Sequence, residues 1–163
     1  MDPISDDLKE LVSSLMSHDV EFLIVGAHAL AFHAIARQTA DLDLWVRRSE
    51  ENVERLKVAL TEFGFPISDD MARAFLGDRK FFKLGVEPNR VDILNFLDGT
   101  EFEIAWPRRR AGSIQGVEAF YLSLDDYVRK KIASGRPKDL ADLVMLRKIL
   151  GSPLPGEHEL PGQ

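Results

Sequence analysis

The 163-residue chain contains no cysteine, which excludes disulfides and thiolate metal ligands and fits a cytoplasmic protein. It also lacks any apolar run approaching the ~18 residues of a membrane helix, so no membrane partner is expected. The opening Met1-Asp2-Pro3-Ile4-Ser5-Asp6-Asp7 is acidic and polar, without the basic start and apolar middle of a signal peptide. An excess of positive charge is missing as well: 21 Lys and Arg face 27 Asp and Glu, a net charge of -6. That balance argues against sequence-indifferent nucleic-acid binding through a broad basic face. It leaves room for a local basic groove, for which Arg108-Arg109-Arg110 and Arg129-Lys130-Lys131 are candidates. The body of the chain has no internal repeat and no low-complexity segment.

What is present is ordinary for a soluble globular protein, 45% hydrophobic and 29% charged. The length suits a single domain with a core of its own, over residues 1–150. Pro153, Pro155 and Pro161 with Gly151, Gly156 and Gly162 predict a disordered tail over 151–163. Leu8, Leu11, Val12, Leu15 and Met16 recur at helical spacing, so 5–18 is an amphipathic helix. Glu21 to Val25 is a short apolar strand ended by Gly26, and Ala27 to Ala36 is an alanine-rich helix. Ala40 to Val46 alternates as a strand. Ser49 opens a helix that runs to Phe63 with Gly64 as its stop, and Ser68 caps a short one to Leu76. Lys80–Val86 and Arg90–Phe96 form an antiparallel hairpin around Glu87-Pro88-Asn89. Two short extended pieces follow over 109–124. Helices over 124–133 and 138–150 are separated by Gly135-Arg136-Pro137.

Chemistry concentrates in the first of these strands. Asp41 and Asp43, at i and i+2, point to one face of a strand, and two such acids are costly there without a cation or donor. The helix that starts after Gly26 offers free backbone N–H groups to an anion such as phosphate. Asp92 is a lone acid between Val91 and Ile93 in an apolar strand. It either joins Asp41 and Asp43 at one polar site or pairs in the core with Arg90 or Lys83. Three carboxylates on adjacent strands would suit two Mg²⁺ ions bridging a triphosphate and an attacking hydroxyl. His28 and His33 are five apart, off the spacing of a zinc pair, and read as packing or hydrogen-bonding groups. Phe81 and Phe82 straddle both faces of their strand. Trp45 is either core or a base-stacking platform.

The order of these residues resembles the nucleotidyltransferases of the DNA-polymerase-β superfamily, and within it the small bacterial enzymes related to the AbiEii and MenT toxins. Three blocks over residues 20–150 carry the resemblance. They are Gly26-Ala27 with Arg37-x-Thr39 and Asp41-x-Asp43, then Val91-Asp92-Ile93-Leu94, then Lys131 followed by Gly135-Arg136-Pro137-Lys138-Asp139-Leu140-Ala141-Asp142-Leu143. The resemblance implies an α+β nucleotidyltransferase-like fold, with a small mixed sheet flanked by helices and a C-terminal helical pair. It implies Mg²⁺-dependent transfer of an NMP from an NTP such as ATP to a hydroxyl or phosphate acceptor. Asp41, Asp43 and Asp92 would be catalytic and would ligate two Mg²⁺ ions, or Mn²⁺ in their place. Gly26, Ala27, Arg37, Thr39, Lys131 and Lys138 would bind the nucleotide phosphates, while Asp139 and Asp142 would orient Lys138, Arg136 or neighbouring strands. One block departs from the pattern: the family usually has Gly-Ser where this chain has Gly26-Ala27. The acceptor implied by the toxin relatives is a tRNA 3′ end, with a cognate antitoxin as partner. A protein hydroxyl, an aminoglycoside-like small molecule and a non-catalytic nucleotide-binding or antitoxin-like role are the alternatives.

Overall fold

A computed structural model describes residues 6–34, 41–85 and 90–157. It is a mixed α+β fold around one six-stranded sheet. The elements, in chain order, are α1 (Asp6–Ser17), β1 (Phe22–Val25), α2 (Gly26–His33), β2 (Leu42–Val46), α3 (Glu50–Phe63), α4 (Asp69–Ala74), β3 (Phe81–Leu84) and β4 (Val91–Leu94). Then come α5 (Phe102–Ala105), a 3₁₀ turn over Trp106–Arg108, β5 (Arg110–Ile114), β6 (Val117–Tyr121), α6 (Leu124–Ser134) and α7 (Pro137–Leu150).

The strand order is β3-β4-β2-β1-β6-β5. β2 runs parallel to β4 and β1 parallel to β6, while β1/β2, β3/β4 and β5/β6 are antiparallel. Burial follows position in the sheet. All four residues of central β1 are buried, as are all of β2 except Asp43. β3, at the edge, leaves Phe81 exposed and turns Phe82 toward the core. The apolar stripe of α1, with Leu8, Leu11, Val12 and Leu15, is wholly buried.

Helix ends follow local chemistry. Ser49, Ser68 and Ser123 accept from the backbone N–H of Asn52 (3.2 Å), Met71 (3.1 Å) and Asp126 (3.1 Å). Gly64 and Gly135 close α3 and α6 in the left-handed region. Buried Asn52 also ties the strand ends together: it accepts from Glu21 N at 2.7 Å and donates to the carbonyls of Glu21 and Arg47 at 3.0 and 2.9 Å.

Four points revise or resolve what the sequence suggested. The Pro/Gly-rich stretch expected to be disordered from residue 151 packs as far as Glu157: Leu154 is buried and Glu157 pairs with Arg147. The helical turn over 102–108 carries no caps or clean periodicity and was not foreseen. It exists because Phe102 and Trp106 stack on each other at 5.5 Å, with Phe102 against Trp45 at 5.1 Å. Trp45 is therefore core, not a stacking platform. The arginine run is not an open basic patch either. Arg109 lies over the Trp106 and Phe120 rings at 4.0 and 4.6 Å, and Arg108 reaches Asp126 at 3.4 Å. The expected turn Glu87-Pro88-Asn89 falls outside the described residues.

Candidate functional site

Gly26 is where β1 becomes α2, and two demands meet there. Its φ is +70°, and a Cβ at this position would stand 2.3 Å from Asp43 Oδ2. No side chain caps α2, so its first N–H groups are left to whatever lies beside Asp43. His33, at the far end of this helix, hydrogen-bonds the Leu122 carbonyl at 2.6 Å, and burial lowers its pKa and that of His28.

Asp43 is paired across parallel β2 and β4 with Asp92, so both side chains rise from the same face. Burial pushes Asp43 up to about 6, helped by the charges of Asp92 and Asp41 and by a hydrogen bond with Asp92, and opposed by Lys83. Lys83, facing Asp92 from β3, donates to both its oxygens at 3.0 and 3.2 Å. Asp41 lies one residue before β2 and accepts from Arg90 Nη2 at 2.6 Å. The three acids thus share one rim, but Asp43 and Asp92 form the close pair. Among the described residues, no three carboxylate or imidazole groups converge as a ready-made cation cage. The outer two are turned toward Lys83 and Arg90.

Two cavities meet at Asp43. One, about 330 Å³, lies between α2 and the C-terminal helices, where Lys130, Lys131, Arg136 and Lys138 face Gly26, Ala27, Asp41 and Asp43. The other, about 510 Å³, lies on the hairpin side with Asp92, Lys83, Phe81 and Phe96. Gly26, Asp43, Lys130 and Arg136 line both. A third cavity of about 550 Å³ has none of the three acids, and its arginines Arg79, Arg108 and Arg129 are paired with Asp98 or Asp126.

Lys131 differs from expectation. It reaches the cavity, but it is buried and its ammonium lies between Asp139 (3.0 Å) and Asp142 (2.9 Å) of α7. Burial works against that charge, and Tyr127, Asp142 and Asp139 outweigh it, so the pKa is raised. The two α7 acids therefore hold Lys131, with Asp139 also accepting from Arg136 at 3.0 Å. Lys130, which the sequence placed only in a candidate basic groove and not among the phosphate-binding residues, lines both cavities, and its pKa is lowered by burial, by Lys131 and by Arg136. The signal was available: Tyr127, Lys130 and Lys131 stand at i, i+3 and i+4 on α6, one face of a helix. Arg37 and Thr39 lie in 35–40, outside the described residues.

The strand acids at the glycine turn thus face a cationic helical pair across the cavity. The chain belongs to the family described as "Nucleotidyl transferase of unknown function (DUF2204)", whose profile spans residues 4–155. Its fold is similar to that of a Thermotoga maritima protein named as a nucleotidyltransferase, at 16% identity and a TM-score of 0.55, over 86% of this chain and 90% of that one. An antigenic nucleotidyltransferase-like protein from Paracoccidioides brasiliensis aligns at 18% identity and a TM-score of 0.49, over 90% of this chain and 78% of that one. No curated protein matches the chain.

Proposed function

We propose that this nucleotidyltransferase moves an NMP from an NTP to a hydroxyl or phosphate acceptor in a reaction that needs a divalent cation. The observation that carries the reading is the Asp43/Asp92 pair at the junction of a cationic cavity and a second one on the hairpin side. The donor set fits Mg²⁺ or Mn²⁺, since all the groups are hard carboxylate oxygens. The charge state fits too: burial first, and then the charges of Asp92 and Asp41, raise Asp43 to about 6, and an added cation would offset both. Asp43 and Asp92, with Asp41 beside them, would hold the ions. Bound there, the metal supplies Lewis-acid stabilisation of charge on the phosphoryl oxygens.

The chain's own residues do the rest by position and charge. Gly26 lets the backbone approach the triphosphate, and the first N–H groups of α2 donate to it. Ala27 adds no hydroxyl, so this contact rests on the backbone alone. Lys130, Arg136 and Lys138 neutralise the phosphates, and Lys131 holds α6 against α7 so that they stay in place. The acceptor oxygen attacks the α-phosphorus from the hairpin side, its proton passes to Asp92, and pyrophosphate leaves toward the cationic cavity.

The toxin-like resemblance makes a tRNA 3′ end the first acceptor to test, with a protein hydroxyl and an aminoglycoside-like molecule as its rivals. The test is incubation with each α-labelled NTP, Mg²⁺ and a whole-cell extract, followed by separation of RNA, protein and small molecules. Label in one fraction, lost in Asp43→Asn and with EDTA, is the expected result. No label anywhere, and no nucleotide binding by calorimetry, would sink the enzymatic reading in favour of a non-catalytic module.

A further inference from the structure

Each outer acid of the site carries a basic side chain from the same hairpin region. Lys83 Nζ donates to both oxygens of Asp92, at 3.0 and 3.2 Å, and Arg90 Nη2 donates to Asp41 Oδ2 at 2.6 Å. Of the two cations Lys83 is the more exposed, its side chain 46% against 29% for Arg90. It lies over the 510 Å³ cavity, while the Asp92 side chain is only 15% exposed. Among the described residues no basic side chain comes within hydrogen-bond distance of Asp43, which sits between them.

The geometry points to Lys83 as a tethered counter-ion of the metal site, one that occupies Asp92 in the metal-free protein and lowers the site's affinity for a divalent cation. The inference rests on the reading that these acids hold such a cation. Its physics is competition for the same lone pairs. Both Asp92 oxygens accept from Nζ, and an ammonium and a metal ion within a few ångströms repel each other strongly. Lys83 must therefore swing off Asp92 when metal binds. Its four-carbon stem and half-exposed position let it do so without stranding a buried charge. Like charges directly opposite across two strands are destabilising, and Asp43 faces Asp92 in register. Lys83 relieves that repulsion in the apo state, and Arg90 does the same at Asp41. Cation binding is then an exchange of one positive group for another, so Lys83 acts on the site through Asp92 as a positioning residue.

The test is Mn²⁺ titration of the full chain without nucleotide, with free ion followed by its paramagnetic resonance signal. Activity plays no part in the readout. Lys83→Met and Lys83→Gln should each tighten Mn²⁺ binding by about two- to fivefold, the factor by which a partly exposed ion pair closes a site. Lys83→Arg should stay near wild type because it keeps the cation, and Asp43→Asn should weaken binding sharply. Wild-type or weaker affinity in both neutral variants, with Asp43→Asn still impaired, would overturn the counter-ion role and leave the metal site standing. Mn²⁺ binding that is absent, or unaffected by Asp43→Asn, would remove the metal site itself and the counter-ion role with it.

Discussion

Gly26 and Asp43 constrain each other at the level of single atoms. A side chain on Gly26 would both strain a left-handed backbone and run into Asp43 Oδ2. Gly26→Ala should cost about 1–2 kcal/mol through the backbone alone, seen as a Tm lowered by a few degrees. Nucleotidyl transfer should fall to background because Asp43 is pushed from its place. Near-normal turnover by this variant would show that Asp43 is not needed where it stands. Asp43 itself is held in a costly state. Its folded pKa, about 6, lies above the ordinary value of 3.8. The folded protein therefore binds more protons than the unfolded chain across that window, and stability falls as pH rises from about 4 to about 6. Above it the ionised carboxylate costs on the order of 2 kcal/mol, discounted for partial exposure. Asp43→Asn should raise the Tm of the EDTA-treated protein at pH 7.5 by roughly 4–8 °C, and the gain should shrink toward pH 4.5. A Tm unchanged or lowered at pH 7.5 would refute the cost assigned to ionising Asp43 where it is buried beside Asp92 and Asp41. The same variant should be inactive, a trade of function for stability.

At the scale of elements, α6 and α7 act as one unit because three charged groups lock them. Lys131 of α6 sits between Asp139 and Asp142 of α7, and Gly135 turns the chain between the helices. Burial alone would raise Asp139, but its bonds to Arg136 and Lys131 hold it down to about 2. Removing Lys131 takes away the cation that two buried acids share, although Asp139 keeps its bond to Arg136, a loss of about 3–5 kcal/mol. Lys131→Met should thus lower Tm by about 10 °C. Lys130→Met leaves the lock intact, so its Tm should stay near wild type while KM for the NTP rises about tenfold, the effect of one lost charge-assisted contact. Melting curves and KM for both variants separate these roles; a Lys131→Met protein with normal Tm and poor NTP binding would return Lys131 to the phosphates. The episode shows what a sequence hides. That a lysine near 131 faces the site was legible from helical spacing and resemblance. That it is neutralised by acids 8 and 11 residues away depends on how two helices dock, which local pattern does not encode. The Asp43/Asp92 pairing was more accessible, because period-two alternation fixes each strand's polar face before the partner is known. Which basic groups answer the outer acids was open, and packing chose Lys83 for Asp92 and Arg90 for Asp41.

Across the whole molecule, most elements could be read from periodicity and from Ser49, Ser68, Gly64 and Gly135, the turn over 102–108 being the exception. The strand order β3-β4-β2-β1-β6-β5 could not, since it depends on long-range pairing. The segment after α7 is the clearest case of composition misleading. Proline and glycine at 151–156 signal a loose chain, yet one apolar residue among them, Leu154, enters the core. Glu157 accepts from the Leu154 N–H and pairs with Arg147, while Gly156 lies so near Asp125 that a Cβ would stand 2.6 Å from its carbonyl. The strap therefore runs from the end of α7 back to the start of α6, and the helical pair is closed at both ends: by Gly135 on one side and by 151–157 on the other. Lys130 and Lys138 project from that pair, so its rigidity bears on the cationic cavity. Leu154→Ala should cost about 2–4 kcal/mol, the usual range for emptying a buried leucine site, and lower Tm by roughly 5–12 °C. If the strap also steadies the helices, KM for the NTP should rise in the same variant while binding of Mn²⁺ at the strand acids stays at the wild-type level. Leu154→Ala melting at the wild-type temperature would show that the strap adds no stability. Loss of Mn²⁺ binding along with NTP binding would mean that the whole sheet, and not the helical pair, depends on it.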